Sequence, residues 1–302
     1  MSSPYRYSFI IPHRDIPELL SRCLDSIPRR EDVQIIVVDD VSSPEIVDKY
    51  FSEIGKDHSV QLVRLEKSNG AGYARNVGLS QACGEWIVFA DADDFFDEGL
   101  LDKLDGHSGA DADIIYFRAK SVYSDSLQPS PRLDKRNRYL DSILGTSKVD
   151  DFCKYFCTEP WGKMIRRSLI ESHSIRFDET PLANDYYFSV LTACNASSIL
   201  YDNTVLYLYT ERKMSLSNKY SGNTTQLSTR MAVYYRVQKY YDDHGIRYIP
   251  FYRLSLSEYR TGSDEFRGII KSFWSEKGIS VSYVWYRYIM GKLYASLFGV
   301  AL

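Results

Sequence analysis

The first half of the chain alternates short apolar runs with stretches whose apolar residues recur at helical spacing. The runs 7–12, 33–38, 60–65, 86–90 and 114–117 are bounded by proline, glycine or acidic residues and predict buried strands. Between them, 17–27 puts Leu19, Leu20, Cys23, Leu24 and Ile27 on one helical face, and 44–54 and 70–82 also predict helices. Further on, the polar stretch 124–138, with Pro129 and Pro131, predicts a surface loop. A helix is predicted over 149–170, broken near Pro160-Trp161-Gly162, then a loop over 177–184 and a helix starting at Asp185. Strand-like runs follow at 199–200 and 205–209, a basic loop at 211–215, and aromatic-rich helices beyond 222.

Strand alternating with helix is the pattern of an α/β fold, a parallel sheet covered on both faces. In such sheets ligands bind outside the carboxyl ends of the strands. Pro12, Asp39-Asp40 and the cluster Asp91-Ala92-Asp93-Asp94 all fall at such ends.

Composition narrows the picture. A chain of 302 residues suits one large domain, or one domain plus an appendage. The formal charge of −3 supplies no basic field, so nucleic acid is not expected as a partner. The five cysteines read as reduced thiols of a cytoplasmic protein. Cys153 and Cys157, with no second close pair, fit helical packing better than zinc. The N-terminus reads as the approach to a strand rather than a signal peptide, and no apolar run reaches the length of a membrane span.

The chemistry gathers around residues 84–96. Three carboxylates crowded at a strand end repel one another unless a cation sits among them, and Mg²⁺ or Mn²⁺ prefers such oxygens. Along an extended chain Asp91 and Asp93 point the same way and can face one ion; an acidic helix cap is the other reading. Asp39-Asp40 offers an ionised acceptor for the N3–H of uracil, or a structural cap. Gly70-Ala71-Gly72 lacks the third glycine of a dinucleotide fingerprint and follows the third strand, yet it lets backbone approach a phosphate, with Arg75 adding charge. Asp185 reads as an N-cap or as a base. Glycosyl transfer from a nucleotide sugar needs such parts together: a cation for the diphosphate, a base for the acceptor hydroxyl, and opposite faces for inversion.

Taken in order, Ser8-Phe9-Ile10-Ile11-Pro12, Ile36-Val37-Val38-Asp39-Asp40, Gly72-Tyr73-Ala74-Arg75-Asn76-Val77-Gly78, Asp91-Ala92-Asp93-Asp94, Trp161-Gly162-Lys163 with Arg166-Arg167, and Asn184-Asp185 resemble the family-2 glycosyltransferases over roughly residues 8–217. The resemblance implies a GT-A fold and an inverting, metal-dependent transferase. It implies donor contacts from Pro12, Arg14, Asp39, Asp40, Gly70, Gly72, Arg75 and Asp91. Asp93 would be the principal metal ligand with Asp91 beside it, Asp94 a supporting group and Asp185 the catalytic base. Trp161, Lys163, Arg212 and Lys213 would lie on the acceptor or diphosphate side, with a core-packed tryptophan the other reading of Trp161. Two positions depart from the family's pattern: Arg14-Asp15 stands where Tyr-Asn is common, and Asn184 where a glutamate is usual.

Residues 1–220 are therefore expected to form the catalytic domain, with 1–120 the nucleotide-binding half and 121–220 the acceptor side, and 221–302 a helical extension. Its last stretch, 281–300, carries an apolar stripe of Val281, Val284, Trp285, Tyr288, Ile289, Leu293, Leu297 and Val300 with Arg287 and Lys292 close by. It suits either a membrane surface or packing on its own domain or a second copy. The expected donor is a UDP-sugar, with Mn²⁺ or Mg²⁺. The expected acceptor is a glycan or lipid-linked glycan of a bacterial surface polysaccharide, met in the cytoplasm or at the inner face of the membrane. A non-catalytic sugar-binding relative and a sugar nucleotidyltransferase are the rival readings. The second is disfavoured because the first loop, His13-Arg14-Asp15, has no glycine.

Overall fold

A computed structural model of the chain describes residues 4–47, 57, 59–212 and 224–298, and side chains through residue 293. It divides into two compact units. The first comprises 1–179 and 188–213, the second 180–187 and 214–302.

The first unit is built on one sheet with strand order β3-β2-β1-β4-β7-β6-β8-β5. Here β1 is Tyr7–His13, β2 Val33–Asp39, β3 Val60–Arg64, β4 Trp86–Phe89, β5 Phe95–Phe96, β6 Ile114–Tyr123, β7 Lys163–Arg166 and β8 Ile199–Glu211. The first four strands are parallel, as the alternating pattern predicts, whereas β7 runs against β4 and β6, and β5 against β8. The sheet is thus mixed. Successive residues of the central strands go to opposite faces. Phe9, Ile11, Ile35, Val37 and Val88 pack with Leu20, Cys23 and Leu24 of α1 (Pro17–Asp25). Ile10, Ile36, Val38, Ile87 and Phe89 pack with Ala74 of the helix Gly70–Gln81. Burial on both faces explains why these strands read as continuous apolar runs rather than alternating ones.

The helices are α1, then α2 (Pro44–Ile46), α3 (Gly70–Gln81), α4 (Leu100–Asp105), α5 (Asp134–Ile143), α6 (Lys148–Phe156), α7 (Arg167–Ser172) and α8 (Tyr186–Asn195). Most of the helix expected over 44–54 falls outside the described residues. Two expectations are corrected. The loop expected over 124–138 gives way to α5 from Asp134, which buries Leu140 and Ile143. The broken helix over 149–170 is α6, the strand β7 and then α7; Met164 and Ile165 fill the centre of the sheet, so this short apolar pair is strand, not helix.

The second unit contains α9 (Thr224–Asp243), α10 (Pro250–Thr261), α11 (Asp264–Glu276) and α12 (Val281–Phe298). They share a core of Leu227, Met231, Phe251, Leu256, Ile270, Trp274 and Val284. Helix α12 crosses closely at Gly291, where a Cβ would lie 2.3 Å from Cδ1 of Ile249. The stripe expected on 281–300 does not all turn inward. Val284 and Gly291 are buried, whereas Val281, Trp285, Ile289 and Leu293 are exposed. The side chains of Leu297 and Val300 lie outside the described residues. No described helix is long and apolar enough to cross a membrane.

Candidate active site

The parallel register brings three strand ends to one edge. His13 pairs with Asp39, Ile10 with Phe89, and the N–H of Ala90 still donates to the carbonyl of Ile10. The chain then turns through Asp91–Asp94, closed by the N–H of Asp94 donating to the carbonyl of Asp91 at 3.0 Å. Carboxylate oxygens of Asp91, Asp93 and Asp94 lie within 4.8 Å of one another. They converge through this turn and not, as expected, through alternation along an extended strand.

Pairing of β5 with β8 carries Tyr207 and Thr210 over the turn. The Tyr207 hydroxyl accepts from the N–H of Asp91 and donates to Oδ2 of Asp94, both at 2.9 Å. The Thr210 N–H donates to Oδ1 of Asp94 at 2.6 Å, and its hydroxyl to the carbonyl of Asp93 at 2.7 Å. Arg22, on α1, donates to the same carbonyl at 2.7 Å. Asp94 is 1% exposed and braced on both oxygens, whereas Asp91 and Asp93 are only partly covered. Arg75 donates to Oδ1 of Asp91 at 2.6 Å and Arg212 to Oδ2 of Asp93 at 2.5 Å. Burial, with the neighbouring carboxylates adding to it, raises Asp94 well above the ordinary carboxylate range. Burial and the Asp91 charge also raise Asp93, against the pull of Arg212. Crowded carboxylate oxygens are the set a hard divalent cation relieves, so Asp91 and Asp93 fit Mn²⁺ or Mg²⁺ with Asp94 holding the turn.

At the end of β2 the two aspartates part company. Asp39 is 1% exposed; it accepts from Nδ1 of His13 at 3.1 Å and from the hydroxyl and N–H of Ser42 at 2.5 and 3.1 Å. Nε2 of His13 accepts from the N–H of Ile16, which leaves the proton on Nδ1. Burial alone would raise Asp39, but these hydrogen bonds hold it below the usual range. Asp40 accepts from the Ser68 hydroxyl at 2.8 Å and from the N–H groups of Asn69 and Gly70 at 2.9 and 3.1 Å. It caps α3, whose own Asn69 makes no side-chain cap. Arg14 donates to Ser68 at 2.8 Å and comes within 3.9 Å of Asp40. Asp15 and Val41 flank this network with φ of 55° and 62°. For a β-branched valine that is a strained conformation, of the kind that gathers at binding sites. Pro12 and Gly72 are buried beneath it, and Gly70 adopts φ 86° at the start of α3.

Trp161 stacks on Tyr207, with ring centres 4.9 Å apart and planes 7° apart. Lys163 is wholly buried in β7; its ammonium donates to the carbonyl of Cys157 at 3.0 Å and lies over the Tyr116 ring. Burial brings it down to about 8. The structure thus gathers Pro12, Arg14, Asp39, Asp40, Gly70, Gly72, Arg75, Asp91, Asp93 and Arg212 in the first unit. Asp185 lies in the second, in the turn leading into α8, just after Ala183 with φ 52°. Lys213 lies outside the described residues. Sequence reasoning missed Tyr207, Thr210 and Arg22, which brace the acidic turn. Only Arg22 left a signal, as a cation beside the apolar face of α1.

A model of the family described as glycosyl transferase family 2 matches residues 8–173. The chain is 26% identical over 213 residues to the putative glycosyltransferase EpsH of Bacillus subtilis, covering 66% of this chain and 58% of that protein. It resembles in fold S. aureus TarS 1–349 in complex with UDP-GlcNAc, with a TM-score of 0.61, 21% identity, and coverage of 77% of this chain and 65% of that one. It also resembles the mannosyltransferase PcManGT from Pyrobaculum calidifontis in complex with GDP-Man and Mn²⁺, with a TM-score of 0.56, 16% identity, and coverage of 99% and 90%. The chain spans less than two thirds of the length of the curated relatives it matches first.

Proposed function

The chain belongs to glycosyl transferase family 2 and has the GT-A fold, and from that premise we propose that it moves one sugar from a nucleotide-diphosphate donor, a UDP-sugar, to a glycan or lipid-linked acceptor with inversion at the anomeric carbon. The observation that carries the reading is the acidic turn: Asp91 and Asp93, partly open, beside a buried and braced Asp94 at the carboxyl end of β4.

In this reading Asp91 and Asp93 hold Mn²⁺ or Mg²⁺. The bound ion supplies charge neutralisation for the departing diphosphate. Arg75 and Arg212 hold the carboxylates in place and add positive field where negative charge develops. Arg14 and Asp40, with Asp39 behind them, form the base-binding side together with Pro12, and the first turn of α3 at Gly70 and Gly72 lets backbone approach the donor. Asp185 takes the proton of the acceptor hydroxyl as general base. Trp161 and Lys163 shape the acceptor side from within, Trp161 through its stack on Tyr207. Residues 1–220 form the catalytic domain and 221–302 its extension. The proposed setting is surface-polysaccharide synthesis, which similarity to the poly(ribitol-phosphate) β-N-acetylglucosaminyltransferase TarS supports, and the proposed place of work is the cytoplasm.

The test is a thermal-shift panel of UDP, GDP, CMP and dTDP with and without Mn²⁺. A ligand at a hundredfold its dissociation constant adds about 2.7 kcal/mol to stability. Stabilisation by UDP that requires Mn²⁺ and disappears in Asp93→Ala is the expected result. No response to any nucleotide would overturn the donor-site assignment. Retention of the donor's anomeric configuration in the product would overturn inversion.

A further inference from the structure

Helix α12 leaves much of an aromatic and apolar face exposed. Tyr283, Trp285, Tyr286, Ile289, Met290 and Leu293 are all exposed on it, while Val284 and Gly291 anchor its other side. The charges on the helix itself have one sign. From Ser280 to Leu302 the sequence contains Arg287 and Lys292 and no aspartate or glutamate. Arg287 is held by Asp242. Lys292 and Arg260 lie over aromatic rings, those of Tyr288 at 4.8 Å and Trp285 at 6.0 Å, and both are exposed. On the neighbouring helices Glu258 lies 3.8 Å from Arg230, Asp264 pairs with Arg267 and Glu276 with Lys277.

We propose that this face of α12 is a docking surface for an anionic phospholipid bilayer, with Trp285, Ile289 and Leu293 entering the headgroup boundary and Arg260 and Lys292 meeting lipid phosphates. Tryptophan and tyrosine favour that boundary, their rings apolar and their N–H or O–H polar, and cations around them add attraction to negative headgroups. A second copy of the chain fits the face less well. A twofold contact pairs each patch with itself, which would bring two copies of the same cation-bearing face together with no acid on the helix to neutralise them. The inference stands on α12 and its neighbours alone and does not depend on the transferase reading.

Trp285 gives the test its signal. It is 37% exposed, whereas Trp86, Trp161 and Trp274 are 0, 7 and 1% exposed. The full chain is mixed with vesicles of brominated phosphatidylcholine, alone or with phosphatidylglycerol, and its tryptophan emission is recorded. Blue-shifted and quenched emission on the anionic vesicles is expected, and none in Trp285→Phe. The double variant Ile289→Ser/Leu293→Ser should weaken vesicle binding at least about tenfold. Both positions are exposed, so its circular dichroism and unfolding midpoint should be unchanged. Arg260→Gln/Lys292→Gln should remove the preference for phosphatidylglycerol and the sensitivity to salt. Absence of quenching on either vesicle would overturn the proposal, as would equal binding to both. A lipid-free dimer in sedimentation velocity, broken by Ile289→Ser/Leu293→Ser, would also overturn it and assign the face to a second copy.

Discussion

Replacing Tyr207 by phenylalanine removes one atom from the candidate site and tests how the acidic turn is held. The ring itself is fully buried, packed on Trp161 and edge-on to Phe96, and none of that packing changes, so no cavity cost arises. What disappears is a hydroxyl serving two partners, the N–H of Asp91 and Oδ2 of Asp94, each at 2.9 Å. A buried N–H left without a partner costs about 1–3 kcal/mol, and a hydrogen bond to a charged group contributes about 1.5–3 kcal/mol. The two share one hydroxyl and do not add fully, so a loss of about 2–4 kcal/mol is expected. Guanidinium unfolding followed by circular dichroism reads it as a lower midpoint at unchanged slope. The loss has a pH signature. Tyr207 donates to the ionised form of Asp94, so its removal raises that carboxyl further. A raised carboxyl contributes stability that is present at low pH and lost as pH rises through its folded-state value, so the deficit should widen from acid to neutral pH. Combined with Asp94→Asn, the loss should fall short of the sum of the two single losses. A loss below about 0.5 kcal/mol would refute the two-partner reading, because no hydroxyl making both bonds in a dry site is worth so little.

The same sign argument applies to the metal. Asp93 is raised by burial and the Asp91 charge, and metal ligands must be ionised, so the rise in melting temperature caused by Mn²⁺ should grow as pH rises from acid to neutral. A constant increment from acid to neutral pH would count against Asp93 as a ligand. Arg212→Met should tighten Mn²⁺ binding by about tenfold, since the guanidinium competes for Oδ2 of Asp93, while weakening nucleoside diphosphate binding; titration calorimetry reads both, and movement in the same direction would contradict the shared role. Gly84→Ala should destabilise by about 1–3 kcal/mol or more. Its Cβ would lie 2.6 Å from the backbone nitrogen of Ser8, which cannot move without shifting β1. Unchanged urea stability would show that β1 yields more easily than this packing implies.

The parts of the fold legible from sequence were those with a local cause. β1, β2 and β4 are apolar because both of their faces are covered, and α1 and α3 show their spacing or their small opening residues. α5 was hidden because its first turns are polar and only Leu140 and Ile143 turn inward. β7 was hidden because four residues between two helices, beginning with a buried lysine, carry no strand period. In the site, the carboxylates announced themselves by crowding. The partners of Asp40 in α3 and of Asp94 in β8 did not, since Thr210 reaches Asp94 across 116 positions and nothing local marks such a meeting.

The bracing of the acidic turn also sets an order of events during synthesis. Asp91, Asp93 and Asp94 emerge early, yet two of their supports, Tyr207 and Thr210, belong to the last strand of the sheet, and Arg212 follows directly. Until that strand emerges and lies beside β6, three mutually repelling carboxylates keep Arg22, Arg75 and the turn's own Asp94–Asp91 bond among the described residues but lack Tyr207 and Thr210, and closing so long a loop is slow. A nascent chain released before residue 212 would therefore carry the whole acidic motif without the means to hold its shape. The shape of the turn thus arrives late, as a property of the completed sheet rather than of the motif that advertises it.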